Sequence, residues 1–262
     1  MVGIMIETFW KERITIGSQY EKKSVVSVIT GSASGIGQAV ARAYFTQGTH
    51  VVGLDKQVNR AEYLQLECDI KDENEIRRAF SVIEEKYGCI NYLVNSAGVF
   101  MCQSRDLLEQ VKLSDWNDVL HTNLTGTMMV TQAAIPLMKK ARGDRGIVNI
   151  SSDQTFYPRQ KNVAYIASKM GVNGLTQSSA QELQEFGIRV NAIAPASVKT
   201  NFIRELAGSD ERMKHIYQCE NEKMPFGMIH PIDVAEAVLF LNSEKARKIT
   251  GQILLMDSGL HL

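Results

Sequence analysis

Tyr165 and Lys169 stand four positions apart in Asn162-Val-Ala-Tyr-Ile-Ala-Ser-Lys-Met-Gly-Val-Asn-Gly-Leu-Thr176, a run mostly compatible with a helix. At 3.6 residues per turn such a pair shares one face, with Cβ atoms roughly 5–6 Å apart. A free phenol ionises near ~10 and is a poor proton shuttle at neutral pH; an ammonium beside it favours the phenolate and lowers that value. Tyr165 is therefore a candidate general acid/base, with Lys169 adjusting it. Any long helix offers some Tyr-x-x-x-Lys pair, so the reading needs support elsewhere in the chain.

Support comes thirteen residues upstream, where Gly146-Ile-Val-Asn-Ile-Ser-Ser152 is an apolar run of strand length that stops in a hydroxyl pair. A hydroxyl at a strand end can hydrogen-bond the same substrate oxygen that a phenol protonates. Strand side chains alternate faces, so only one of Ser151 and Ser152 should point into the site; Ser152 is preferred. Gln154, Phe156, Tyr157 and Arg159 follow and could line a substrate pocket with aromatic walls and a polar or cationic handle, or form a surface loop.

These groups need a scaffold, and its first element is Ser24-Val-Val-Ser-Val-Ile-Thr30, short, β-branched and followed at once by a glycine turn. In Gly31-Ser-Ala-Ser34-Gly35-Ile36-Gly37 the glycines let the backbone approach a pyrophosphate, and the helical run from Gln38 would aim its free N–H groups at that anion. Strand before and helix after are the context a dinucleotide-binding turn requires. His50-Val-Val-Gly-Leu-Asp55 is a second strand ending in an acid. That carboxylate can accept from adenosine ribose hydroxyls and would repel a 2′-phosphate, favouring NAD over NADP, although Lys56 beside it could partly screen it.

Tyr63–Ile70 reads as a third strand, in which Asp69 either meets the adenine amino group or caps the next helix, and Asp72–Tyr87 reads as a crossover helix. Cys89–Asn95 is a fourth strand leading into Asn95-Ser-Ala97-Gly98, where small residues would let the chain pass close to the cofactor. Leu113 to Met138 has a long helical pattern with Asn123 and Gly126, two poor helix formers, in its middle; Asn123 is expected to distort the helix and hold a water. Phe186–Ala194 is the sixth strand. The segment 199–225 is too long for an ordinary connection and is expected to be an irregular, mobile lid carrying Phe202, Leu206, Met213, Ile216 and Tyr217. A helix from Pro231 and a last strand within Gly251–Gly259 follow. Alternation of strands and helices, without linker or repeat, gives an α/β fold of one domain: a doubly wound parallel sheet with helices on both faces over 24–262, preceded by an arm at 1–23 whose order the sequence leaves open.

Composition narrows the remaining possibilities. Lys plus Arg and Asp plus Glu number 29 each in 262 residues, so no basic excess advertises a nucleic-acid partner. Four scattered cysteines without C-x-x-C spacing, and five histidines without ligand spacing, point to reduced thiols and to no metal. No apolar window approaches a membrane span, and the first residues make a poor signal peptide, so a cytoplasmic location is expected.

Taken together, the Thr30-Gly-x-x-x-Gly-Ile-Gly37 turn, Asn95-Ser-Ala-Gly98, Asn123-Leu-Thr-Gly126, the strand-end Ser152 and Tyr165-x-x-x-Lys169 resemble the short-chain dehydrogenase/reductase family over Ser24–Gly259. The resemblance implies a Rossmann-like fold and hydride exchange with a nicotinamide. It implies a catalytic tetrad in which Tyr165 is the acid/base, Lys169 binds the nicotinamide ribose, Ser152 holds the substrate oxygen and Asn123 anchors a proton-relay water. Cofactor contacts would come from Gly31, Ser34, Gly35, Ile36, Gly37, Asp55, Asp69, Ile70, Asn95, Ala97, Gly98, Tyr165, Lys169, Pro195, Val198 and Thr200, and substrate contacts from Ser152, Gln154 and Tyr157. Pro195-Ala196-Ser197 departs from the usual Pro-Gly, and Met256-Asp-Ser-Gly from the usual paired glycines. The expected reaction is oxidation of a small-molecule secondary alcohol with NAD. A reductase of 3-oxoacyl thioesters using NADPH and a non-catalytic NAD sensor are the rivals. A homotetramer or dimer through the Asn123 and Tyr165 helices is also implied.

Overall fold

The computed structural model describes residues 25–100, 107–200 and 211–262, with only the helical backbone at 211–214, 216 and 217. The arm expected at 1–23 and residues 201–210 of the expected lid, with Phe202 and Leu206, lie outside the described residues.

Strands and helices alternate in the order β1 (Val26–Thr30), α1 (Gly35–Thr46), β2 (His50–Asp55), β3 (Leu64–Glu67), α2 (Glu73–Tyr87), β4 (Tyr92–Asn95), α3 (Leu113–Leu120), a π-helical turn (His121–Gly126), α4 (Thr127–Lys140), β5 (Gly146–Ile150), α5 (Val163–Leu183), β6 (Arg189–Pro195), α6 (Glu211–Lys223), α7 (Pro231–Leu241) and β7 (Ile253–Met256). The seven strands form one parallel sheet in the order β3-β2-β1-β4-β5-β6-β7. Parallel pairing demands a crossover after each strand, and these crossovers bury both faces, which is why β1, β5 and β6 read as almost continuous apolar runs.

The period of two sorts the core into two layers. Val26 and Val28 of β1, Leu54, Leu93 and Ile147 pack against Ile76, Phe80 and Ile83 of α2 and Val130, Ala134 and Leu137 of α4. Ile29 of β1, Val51, Val94, Val148 and Ile193 face the other way, onto Val40, Ala41 and Tyr44 of α1 and Val234, Ala235 and Val238 of α7. The strand order reverses between β1 and β4, so a crevice opens beyond their carboxyl ends, where an open α/β sheet holds its ligands.

Several boundaries are shorter than the apolar runs suggested, because β3 keeps only four of its eight expected residues and β4 begins at Tyr92. The connection expected to be irregular contains a thirteen-residue helix, α6, formed by a stretch in which Glu and Lys, both good helix formers, recur. Asp72 caps α2 by accepting from the N–H groups of Asn74 and Glu75, whereas Asp69 caps no helix.

Candidate active site

The glycine turn leaves β1 at Gly31, whose φ of +69° is open to glycine at little cost. A Cβ there would also stand 2.9 Å from the backbone of Ala97, and one on Gly37 would run into the Gly31 carbonyl oxygen. The turn is therefore clamped against the exit of β4, and Thr30 completes the clamp: its Oγ1 accepts from the N–H groups of Ser96 (3.1 Å) and Ala97 (3.0 Å). Ser34 precedes α1 without capping it, and no acid occupies the first turn, so the leading N–H groups remain for an anion.

This turn forms one wall of a cavity of about 350 Å³ lined also by Asp55, Lys56, Cys68, Ile70, Ser96, Ala97, Gly98, Val99, Thr122 and Thr200. At the outer end, Asp55 accepts from the N–H of Ala33 at 2.9 Å and of Gln57 at 3.0 Å, leaving each oxygen one lone pair. The Lys56 ammonium lies 2.9 Å from Asp69, not on Asp55. Burial opposes ionisation of Asp69, but the Lys71 N–H and Lys56 outweigh it and hold its carboxyl below the usual range. These groups fit an adenosine diphosphate: free helix N–H groups for the phosphates and an acceptor pair for ribose hydroxyls.

The inner end of the cavity meets a second cluster at Gly98, where a Cβ would lie 3.1 Å from Asn123 Oδ1 and 3.5 Å from Lys169 Nζ. Asn123 is wholly buried in the π turn; its Oδ1 accepts from Val99 N–H (2.8 Å), while its amide donates to the Val99 carbonyl (2.8 Å) and Ser168 Oγ (3.0 Å). The helix is distorted here as expected, yet both amide hydrogens are engaged, so the side chain has none left for a water. Wide turns of this kind gather at functional positions in long helices.

Ser151 and Ser152 are both buried just past β5. Ser151 donates to Asn173 Oδ1 at 2.6 Å, whereas Ser152 stands against the Tyr165 phenol. Lys169 on α5 donates to the Ile150 carbonyl at 2.7 Å, and its ammonium lies 5.8 Å from the Tyr165 ring centre. Phe100 meets the Tyr165 ring edge-on with centroids 4.7 Å apart.

The electrostatics differ from the expectation. Burial pushes the Tyr165 phenol up to about 12, opposed by the hydrogen bond to Ser152; Asp153 raises it and Arg159 lowers it. Burial also holds Lys169 down to about 8. Desolvation disfavours both charged forms, and the amine is turned to a carbonyl rather than to the phenol, so the expected lowering by Lys169 does not appear.

The structure thus places Asn123 and Lys169 beside Gly98, with the Tyr165 ring 5.8 Å from the Lys169 amine and Ser152 against its phenol, and Gly31, Ser34, Gly35, Ile36, Gly37, Asp55, Ile70, Ala97, Gly98 and Thr200 around the adjoining cavity. It does not bring all the others. Asn95 points into the core, donating to Thr131 and Asn149; Asp69 is turned to Lys56; Pro195 and Val198 are buried outside the cavity wall. Gln154 is buried and accepts from Asn162, Tyr157 stacks on His261, and Arg159 is held by Asp153 and Glu220 rather than presented as a free cationic handle. Sequence reasoning named Thr30 and Ser96 only as members of motifs, without the Thr30 Oγ1 clamp, and missed Val99 and Thr122 of the cavity wall and Asp153, which lies one residue past the hydroxyl pair.

Comparison with known proteins follows the same outline. A family model described as enoyl-(acyl carrier protein) reductase matches residues 31–261. The 3-oxoacyl-[acyl-carrier-protein] reductase of Thermotoga maritima is 36% identical over 90% of this chain and 97% of its own. The NAD-dependent glycerol dehydrogenase of Listeria innocua is 35% identical over 89% of this chain and 92% of its own. The ligand-free aldohexose dehydrogenase of Thermoplasma acidophilum superposes with a TM-score of 0.85 at 34% identity, covering 92% of this chain and 95% of the other. With a Rossmann-like sheet, a glycine turn at its switch point and a serine, tyrosine and lysine gathered beside it, this chain belongs to the short-chain dehydrogenase/reductase family of oxidoreductases.

Proposed function

We propose that the protein interconverts a secondary alcohol and its ketone with NAD(H), through Ser152, Tyr165 and Lys169 assisted by Asn123. The observation that carries this reading is the grouping of Ser152 against the Tyr165 phenol, with the Lys169 amine 5.8 Å from that ring and beside Gly98 of the cavity wall. When bound, the nicotinamide supplies the acceptor or donor of the carbinol hydride. Tyr165 takes the hydroxyl proton in oxidation and returns it in reduction, while Ser152 fixes the reacting oxygen. Lys169 would bind the ribose and, turned from Ile150, its ammonium would favour the phenolate. Asn123 holds Val99 by both its N–H and C=O, which fixes the backbone next to Gly98.

NAD is favoured by Asp55, and by Lys56 being committed to Asp69. A homotetramer or dimer through α3–α4 and α5 belongs to the same reading, supported by exposed Met128 and Met170 on those helices. The test is an NAD-coupled screen of polyols, sugars, steroids and hydroxy acids, run with the Tyr165→Phe protein. Full turnover in a Tyr165→Phe protein that still binds NADH would refute the role. A second reading, reduction of a 3-oxoacyl thioester with NADPH, is favoured by the likeness to the Thermotoga maritima reductase. Parallel titration with NADH and NADPH separates the two.

A further inference from the structure

The outer rim of the cofactor cavity carries an ion pair between the ends of two strands. Past Asp55 and Glu67, the last paired residues of β2 and β3, the ladder gains one more bond, from the Cys68 N–H to the Asp55 carbonyl at 2.8 Å, which sets Asp69 beside Lys56. The Lys56 ammonium lies 2.9 Å from Asp69 Oδ2. Asp69 is the fixed partner: its Oδ1 accepts from the Lys71 N–H at 2.9 Å, and its own N–H donates to Glu75 Oε2 at 2.7 Å. Lys56 is the movable one, a flexible four-carbon stem whose side chain is 55% exposed against 29% for Asp69.

Lys56 is also the one cation among the described residues that line this cavity, and it directly follows Asp55, the acid assigned above to the adenosine ribose. Released from Asp69, its ammonium swings within reach of a 2′-phosphate at Asp55 and offsets the repulsion there. Held on Asp69, it leaves that repulsion standing.

We propose that Asp69 is a positioning residue for cofactor choice: it latches Lys56 away from Asp55, and opening the latch admits NADP(H) as a second cofactor. This rests on the NAD(H) reading above and extends it from the acid that repels the 2′-phosphate to the acid that keeps a cation from it. A contact from Asp69 to the adenine amino group would act differently. NADH and NADPH carry the same adenine, so such a contact strengthens both and leaves the ratio of their affinities where it was.

The test is a double-mutant cycle on the full-length protein, read as the ratio of the NADPH to the NADH dissociation constant by the fluorescence of the reduced cofactor. Asp69→Asn keeps the shape and an acceptor for the Lys71 N–H, and it should lower the ratio about tenfold, since one ammonium about 4 Å from a phosphate is worth at least about fivefold even in water. Lys56→Met alone should move the ratio less than about twofold, and in that background Asp69→Asn should also move it less than about twofold. An Asp69→Asn protein whose ratio falls less than about twofold overturns the proposal. So does a fall that persists without Lys56, the mark of a charge acting at long range. A shift beyond about twofold in Lys56→Met alone overturns it as well, because Lys56 would then already act on the phosphate in the wild type. If Asp69→Asn does not fold, Asp69→Ser, whose hydroxyl accepts from the same N–H, takes its place with the same outcomes. A wild type that binds NADPH more tightly than NADH defeats the NAD(H) reading itself; a wild type that prefers NADH beside an unmoved Asp69→Asn defeats only the latch.

Discussion

Replacing Asp55 by Asn tests the cofactor choice most directly, because it removes one charge and keeps the shape. Asp55 lines the outer end of the cavity and accepts from Ala33 and Gln57, so a 2′-phosphate on the adenosine ribose would lie within a few ångströms of its carboxylate. At 4 Å a pair of unit charges repels by about 1 kcal/mol in water and about 4 kcal/mol at the effective dielectric of a protein surface. Lys56, the nearest cation in the wall, is already paired with Asp69 and so offsets little of this. A repulsion of about 2–3 kcal/mol for the partly exposed crevice corresponds to NADPH binding roughly 30- to 150-fold more weakly than NADH. Asp55→Asn should cut that ratio at least about tenfold, chiefly by tightening NADPH, and NADH should weaken by about 1–2 kcal/mol as charge-assisted bonds to the ribose are lost. Both dissociation constants can be read by the fluorescence of the reduced cofactor, and the wild-type ratio should fall as salt is raised. A wild-type protein that binds NADPH as tightly as NADH, or an Asp55→Asn protein with an unchanged ratio, would refute the electrostatic reasoning.

Other outcomes follow from the same geometry. Gly31→Ala combines a strained φ with a contact of 2.9 Å to Ala97, so it should lower stability by about 2 kcal/mol or more in urea titration and abolish NADH binding. Lys169 titrates at about 8 in the fold against an ordinary 10.5, so its stabilising contribution is present above 10.5 and lost as pH falls to 8. Lys169→Met should therefore raise the Tm of the cofactor-free protein at pH 7, by the equivalent of about 1–2 kcal/mol once the lost bond to Ile150 is counted, while abolishing turnover. The Tyr165 phenol, pushed up to about 12 against an ordinary 10, contributes stability that is present below pH 10 and lost as pH rises to 12. In ultraviolet difference titration, the phenol missing from Tyr165→Phe should be one that ionises near 12 without NAD and at lower pH with it.

Much of the fold was legible because parallel strands leave a coarse signature. Val26–Thr30, Gly146–Ile150 and Arg189–Pro195 are buried on both faces and so are mostly apolar, Ser27, Thr30, Asn149, Arg189 and Asn191 excepted, which is easily read. Strand ends were less legible, since Tyr63 and Cys68–Ile70 continue the apolar pattern after pairing has stopped, in order to line the cavity and the core. The α6 helix was hidden for the opposite reason: Glu211–Lys223 carries so many charges that its pattern resembles a solvated loop. Asn95 misled because a small polar residue at a strand end can serve a ligand or a neighbouring helix, and here Thr131 and Asn149 claim it.

The site itself shows where spacing stops being informative. Four residues of separation do put Tyr165 and Lys169 on one helix face, and that is a statement about geometry alone. Which of them carries charge depends on how far each is removed from water, a property of the whole fold. Here burial dominates both, keeping the phenol protonated and weakening the amine's hold on its proton. At neutral pH such a pair holds a protonated phenol near a weakened ammonium, and the phenol becomes a base only when additional positive charge enters the cleft or the ammonium turns from Ile150 toward it. Asp153 pulls against that change and Arg159 favours it, so the reactivity of Tyr165 is set partly by residues twelve and six positions upstream that no spacing rule would select.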